Sequence, residues 1–414
     1  MTFDRKTSTR LLYTLFATQS LFSASQIGVI TLTTIVATRL SGSESLAGLP
    51  STFTTFSQAL LAVPLAVLMG RFGRRVGISL AYALAALGGL VGLLAIAEGA
   101  FPLMLLSAAL LGAGRAGGEQ SRFAAGELFP EAERARMIGR IVFAGTVGAV
   151  VGPVLAAPSG RLLAALGLNP DMGPWALALA LCTLGALITL FLLRPDPMRV
   201  AQGLSAAEAA DQPDTFSPPA RPLVDLLRLP TVQLGILAML ISQTVMVVLM
   251  VITPLHMEHQ QHGRDSISLV IAAHTLGMFG LSALTGYLID RFGRVAMLVV
   301  GALILALSAF LAPAAADVTG LAVALFLLGL GWNFGYVAGS SLLADALQGA
   351  ERARVQGVND ALVFFMAGLG SLSSGPLFAS GGYIAINAVG MLMAVILIGL
   401  VLRLSRPRPA AEAA

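Results

Sequence analysis

Charge is scarce in this 414-residue chain: Asp, Glu, Lys and Arg make up only 11% of it, where a soluble domain carries about 25%. With 57% apolar residues and a mean hydropathy of +0.86, that deficit excludes a soluble enzyme. Cysteine is nearly absent as well. Cys182 stands alone, so no intramolecular disulfide can form and the redox compartment leaves no trace. Lysine is reduced to Lys6, so arginine carries almost all the positive charge, a bias that hints at a high-GC bacterial source. Nowhere does a nucleophile with a base, a metal shell or a phosphate loop emerge, which argues against catalysis.

What the chain has is apolar length. A spanning helix needs about 20 apolar residues, and twelve such runs can be drawn, near 11–38, 47–70, 76–98, 102–128, 137–157, 175–193, 231–256, 266–289, 295–315, 318–346, 354–379 and 382–403. The first follows only Asp4, Arg5, Lys6 and Arg10, and is too long and too polar within for a cleaved signal peptide. Twenty of the 25 basic residues fall on one side of these runs; only Arg39, Arg161 and Arg264 fall on the other. The positive-inside rule then places both termini in the cytoplasm, here of a bacterial inner membrane. Arginines scattered over many loops leave no basic face for nucleic acid.

Three segments recur in order. RFGR at Arg71–Arg74 returns at Arg291–Arg294, LLGAG at Leu110 returns as LLGLG at Leu327, and ERAR at Glu133–Arg136 returns at Glu351–Arg354, at offsets of 220, 217 and 218 residues. The chain is therefore expected to be all-α, with a six-helix bundle at 1–193, a cytoplasmic linker at 194–230 and a second bundle with a short tail at 231–414. The linker is polar and Pro-rich and shows no ligand-binding pattern. Two fused bundles are the architecture of a secondary transporter, with a substrate path between the halves near the bilayer midplane.

GYLIDRFGR at Gly286–Arg294 resembles the loop signature of the major facilitator superfamily, and span number, orientation, linker and repeats resemble that family over nearly the whole chain. The resemblance implies a monomeric transporter whose loop arginines latch one face: Arg74 with Glu127, and Arg294 with Asp345. Asp290 stands in the second copy, but its counterpart is Gly70 and the earlier glycine is Ala66, so Asp360 is an alternative partner for Arg71 or Arg74. The arginines would otherwise only hold topology. In the fifth span Gly145, Gly148, Gly152 and Pro153 look like the Gly-Pro pattern of drug/proton antiporters, without its trailing Gly pair, which implies export. Packing glycines are the alternative.

Arg115, Glu119 and Arg122 are spaced to share a face of the fourth span. Each such charge costs at least about 2.5–3.5 kcal/mol in a membrane, so the stripe should line a cavity or form an Arg-Glu-Arg lock. The repeat offset maps Arg115 onto Trp332, Glu119 onto Tyr336 and Arg122 onto Gly339. By family resemblance these helices wall a central cavity, charged on one side and aromatic on the other. That suits an amphipathic organic substrate, with Asn333 adding a hydrogen bond. Gln19, Ser23 and Gln26 in the first span and Ser242, Gln243 and Thr244 in the seventh either bind substrate or bond across helices.

Glu119 is the first candidate for proton coupling, then Asp360 and His274. His256, His259 and His262 lack the Cys or acidic partners of a metal shell. The expectation is a proton-coupled exporter of small amphipathic compounds, with no cofactor beyond the proton gradient; an importer, or a lysolipid transporter or sensor of the same fold, is the alternative.

Overall fold

The computed structural model describes residues 4–203, 221–315, 317–347 and 349–405, so the middle of the linker and the arginines at 406 and 408 lie outside the described residues. Among those described there are helices and no strands. Eleven helical stretches are long and apolar enough to cross a membrane: Arg5–Ser41, Glu44–Phe72, Arg74–Ala97, Phe101–Glu127, Arg136–Ala165, Pro170–Leu192, Pro230–His259, Arg264–Phe292, Arg294–Ala314, Val318–Ala346 and Arg354–Leu404. The last holds two spans, because Gly382 leaves helical geometry with φ 63° and ψ −162°. Twelve spans result, as the hydropathy pattern predicts.

The repeated loops show why their glycine is needed. Gly73 ends the second span and opens the third at φ 95°, and Gly293 does the same between the eighth and ninth at φ 88°. A side chain at either would be strained.

The chain divides into two compact units, Met1–Ser217 with Pro254–Ala272, and Pro218–Thr253 with Ala273–Ala414. In the first, the fifth span packs against the first through its glycines. A Cβ on Gly148 would run into the Ser20 carbonyl, and one on Gly152 into that of Ala24. Ser20 Oγ donates to Ala144 O at 2.9 Å and Ser23 Oγ to Gly145 O at 2.7 Å across the same seam. Small residues that let backbones approach are the membrane's substitute for a hydrophobic driving force between helices. In the second unit Leu298, Ala302, Phe334, Ala338 and Leu397 join the ninth, tenth and twelfth spans in one core.

Trp175 is fully buried near the start of the sixth span, where a membrane-anchoring tryptophan would be half exposed. Its indole occupies the space a Cβ on Gly92 would take.

Two spans are interrupted. The fourth consists of Phe101–Gly118 and Ser121–Glu127, joined by a tight turn at Glu119 and Gln120 in which Gln120 N donates to Gly117 O at 3.1 Å. The eighth consists of Arg264–Phe279 and Ser282–Phe292, joined at Gly280 and Leu281. The tightening in the fourth span is of a kind that often marks a functional hinge.

Candidate functional site

The turn in the fourth span carries Glu119. Its Oε1 accepts from Arg115 Nε at 3.3 Å and from Gln58 Nε2, on the second span, at 3.2 Å. The side chains of Arg115 and Glu119 are 39% and 30% exposed, enough for a proton or ligand to reach them. Arg122 lies past the turn on the short helix, where its guanidinium sits 4.8 Å from the Phe123 ring centre and its Nε has no hydrogen-bond partner. Arg115 and Glu119 meet at this turn, and Arg122 packs on an aromatic ring. Tyr82 donates to Gln19 Oε1 at 3.5 Å and lies 3.3 Å from Ser121 Oγ, tying the first span to that short helix. Gln26 is buried with Nε2 unpartnered.

The second unit builds an aromatic group instead. Trp332 and Tyr336, one turn apart on the tenth span, stack at 4.9 Å with 25° between planes, and Phe279 meets Trp332 edge-on at 5.8 Å. Trp332 Nε1 donates to Gln243 Oε1 at 2.7 Å. Asn333 spans the break in the eighth helix: its Nδ2 donates to Met278 O at 2.6 Å on one side and to Ser282 Oγ at 2.9 Å on the other. That amide nitrogen is therefore committed to the break. His274 is buried with Nδ1 3.0 Å from Leu325 O, and Asp360 Oδ1 accepts from Asn359 Nδ2 at 3.2 Å.

At the arginine-rich ends both pairs named from the repeat are in contact. Arg74 grips Glu127 with two bonds, Nε to Oε2 at 3.0 Å and Nη2 to Oε1 at 2.5 Å. Arg294 Nε lies 2.9 Å from Asp345 Oδ2, close enough to pair charges although its N–H is not aimed at the oxygen, and Nη2 is 3.5 Å from Asp290 Oδ1. Arg71 is exposed. A cavity of about 590 Å³ opens beside the first pair, lined in part by Phe123, Arg134, Ile138 and Met198.

Two features of these loops escape a reading of the sequence. Asp196, in the stretch following the sixth span, accepts from the backbone N–H groups of Arg74 at 3.1 Å and Arg75 at 3.0 Å, capping the third span beside Gly73. The repeated ERAR glutamates each hold an arginine from the entrance of their own half: Arg5 Nη2 to Glu133 Oε2 at 3.1 Å, and Arg221 to both oxygens of Glu351 at 2.9 and 2.8 Å. A matching offset of 216 between Arg5 and Arg221 was the available signal.

The arginine-poor end of the first unit is a network. Asp171, 7% exposed, accepts from Arg39 Nη1 at 2.6 Å and also from Arg264. Arg39 reaches Glu258 too, Arg161 pairs with Asp265 at 2.7 Å, and His259 Nε2 lies 3.1 Å from Glu44 Oε1. All three arginines assigned to this side are paired.

Twelve spans, two repeated halves and charged groups held inside apolar helices define a multi-pass membrane transporter. The chain belongs to the Major Facilitator Superfamily, whose family model matches residues 15–260 and again 234–414. It is 33% identical over 386 residues to the uncharacterized MFS-type transporter YddS of Bacillus subtilis, covering 92% of this chain and 88% of that one. It is 32% identical over 413 residues to the riboflavin transporter RfnT of Brucella anthropi, covering 99% and 100%. Among solved structures it resembles a bacterial homolog of the human lysosomal transporter Spinster, with TM-score 0.74, 18% identity and coverage of 98% and 100%. A D-xylose–proton symporter is similar at TM-score 0.73 and 18% identity, covering 97% and 99%. At such identities the two structures speak for the fold.

Proposed function

We propose that this protein is a secondary transporter of a small, flat, amphipathic organic molecule across the bacterial cytoplasmic membrane, with Glu119 as the proton-exchanging group. The observation that carries it is the stacked Trp332 and Tyr336 with Phe279 against them, a preformed aromatic surface in which Tyr336 and Phe279 remain partly exposed. Planar rings stack on such surfaces at a gain of about 0.5–1.5 kcal/mol beyond area burial. The full-length similarity to a protein named a riboflavin transporter supports a ring of flavin-like shape. Glu119 suits proton exchange because its carboxylate has two partners, Arg115 and Gln58, on separate helices, and a change in the turn at residues 119–120 alters both contacts.

The arginine distribution supports cytoplasmic termini, and Arg74–Glu127 and Arg294–Asp345 would be the pairs that break and re-form in the transport cycle. The Gly-Pro resemblance supports export by antiport. Packing of Gly148 and Gly152 on the first span accounts for those residues without reference to direction, so proton symport into the cell stands as the second reading. Proteoliposomes with an imposed pH gradient test both, with riboflavin as the first probe. Gradient-driven flux should be lost in Glu119→Gln while riboflavin counterflow persists. Unchanged uphill transport by that variant removes Glu119 from coupling, and the sign of proton movement decides direction.

A further inference from the structure

Gln243 has a fixed polarity. A glutamine amide offers an oxygen acceptor at one end and two N–H donors at the other, and either end can face a neighbour. Trp332 settles the choice, because an indole N–H only donates; the amide atom 2.7 Å from Nε1 is the oxygen. The Nε2 group is then turned away from the indole. Among the described residues it has no second partner, and the side chain is partly exposed. The other amide beside the aromatic group cannot substitute, since Asn333 Nδ2 is held by Met278 O and Ser282 Oγ. Gln243 accordingly sets an oriented donor pair beside the aromatic surface.

We infer that Gln243 makes this surface selective for planar rings carrying a carbonyl-type acceptor at their edge, such as cyclic imides and ring diones, over rings whose edge is apolar or only donates. The inference rests on the proposed ring-binding role of Trp332 and Tyr336. When a bound ring covers the Gln243 amide, a donor left unanswered loses its hydration without return, so a ring lacking the acceptor binds less tightly, roughly tenfold for one hydrogen bond.

The test uses the purified full-length protein and two probes of equal size, quinazoline-2,4-dione and naphthalene, each bearing the same neutral hydroxylated chain, with affinity read by calorimetry. Wild type should prefer the dione by roughly tenfold. Gln243→Glu retains an acceptor for the Trp332 N–H but has no donor when ionised, and Gln243→Met has neither and cannot take up a proton; both should lose the preference and keep binding to naphthalene. Trp332→Phe keeps an aromatic ring but frees the Gln243 amide, and should shrink the preference although Gln243 is intact, which a merely structural role for the glutamine would not produce. Equal affinity of wild type for the two rings, or a preference that survives in both Gln243 variants, overturns the inference and leaves ring binding standing. Failure of wild type to bind either ring overturns the ring-binding proposal and the inference with it.

Discussion

The two halves of this chain agree in their loops and part company inside their helices. Each half ties an entrance arginine to an ERAR glutamate, Arg5 to Glu133 and Arg221 to Glu351, and each pairs an RFGR arginine with an acid near the end of its fourth helix, Glu127 or Asp345. In the interior the first half interrupts its fourth helix at a charged residue, whereas the second keeps that helix whole and interrupts its second, bridged by Asn333. Loop pairs can survive duplication because their job, holding helix ends near water, is the same in both copies. Interior charge costs about 2.5–3.5 kcal/mol per residue on insertion scales, so it persists where a function needs it, and the copies diverge there.

The largest test of this contrast compares the two tryptophans. Trp175 is wholly buried and fills the space beside Gly92, so Trp175→Ala should cost about 3–5 kcal/mol through the cavity it leaves. Thermal unfolding should shift strongly, with ring-ligand affinity of the folded fraction unchanged. Trp332→Ala should instead weaken ring binding, because it removes both the support of Tyr336 and the partner of Gln243. Equal loss of affinity in the two variants would erase the distinction between packing and binding aromatics.

A smaller effect is expected at the arginine-poor end. Asp171→Asn keeps the shape but removes the charge that faces Arg39 and Arg264, and hydrogen bonds to charged groups contribute about 1.5–3 kcal/mol. Arg39 is half exposed, so water recovers part of that loss and the lower figure is the expectation. The hairpin Pro254–Ala272 should then show faster backbone hydrogen exchange, while exchange in the ninth and tenth spans stays as in wild type. A uniform increase would mean that the network stabilises the whole chain and not this hairpin.

How much of this was legible beforehand depends on the range of each interaction. Hydropathy is local, so all twelve spans could be drawn, and the Gly382 boundary fell where the eleventh and twelfth runs divide. Arg115 and Glu119 were readable as a pair because four residues of continuous helix bring them together. The contact of Arg122 with the ring of its neighbour Phe123 was not readable, because residues adjacent in a helix point in different directions and only the side-chain rotamer brings them together. Arg74 and Glu127 were paired through the family resemblance, supported by counterparts that recur 220 and 218 residues on. Trp332 with Gln243, and Asn333 with the eighth span, join residues 51 to 89 positions apart with no repeated partner to reveal them. Asp196 was passed over because it bonds to backbone N–H groups, which every residue but proline possesses.

Asp196 also offers the finest test of the contrast between halves. The second RFGR loop has Asp290 four residues before its arginine, and the first has Gly70 there with Asp196 arriving from beyond the sixth span. If Asp196 merely supplies the missing negative charge, Gly70→Asp should rescue Asp196→Ala. If it acts as a cap, rescue should fail, because an acid at position 70 lies on the preceding helix, where Asp290 in the second copy pairs with Arg294 and caps nothing. Loss of an N-cap costs about 0.5–2 kcal/mol. Gly70→Asp alone should change little: it gains an exposed pair of about 0.2–1 kcal/mol and places a negative charge at a helix C-terminus, which opposes the macrodipole by about 0.3–1 kcal/mol. Thermal unfolding of the two single variants and the double variant gives the coupling directly. Additive effects identify a cap specific to the first half; full recovery in the double variant identifies a charge that has only changed its address.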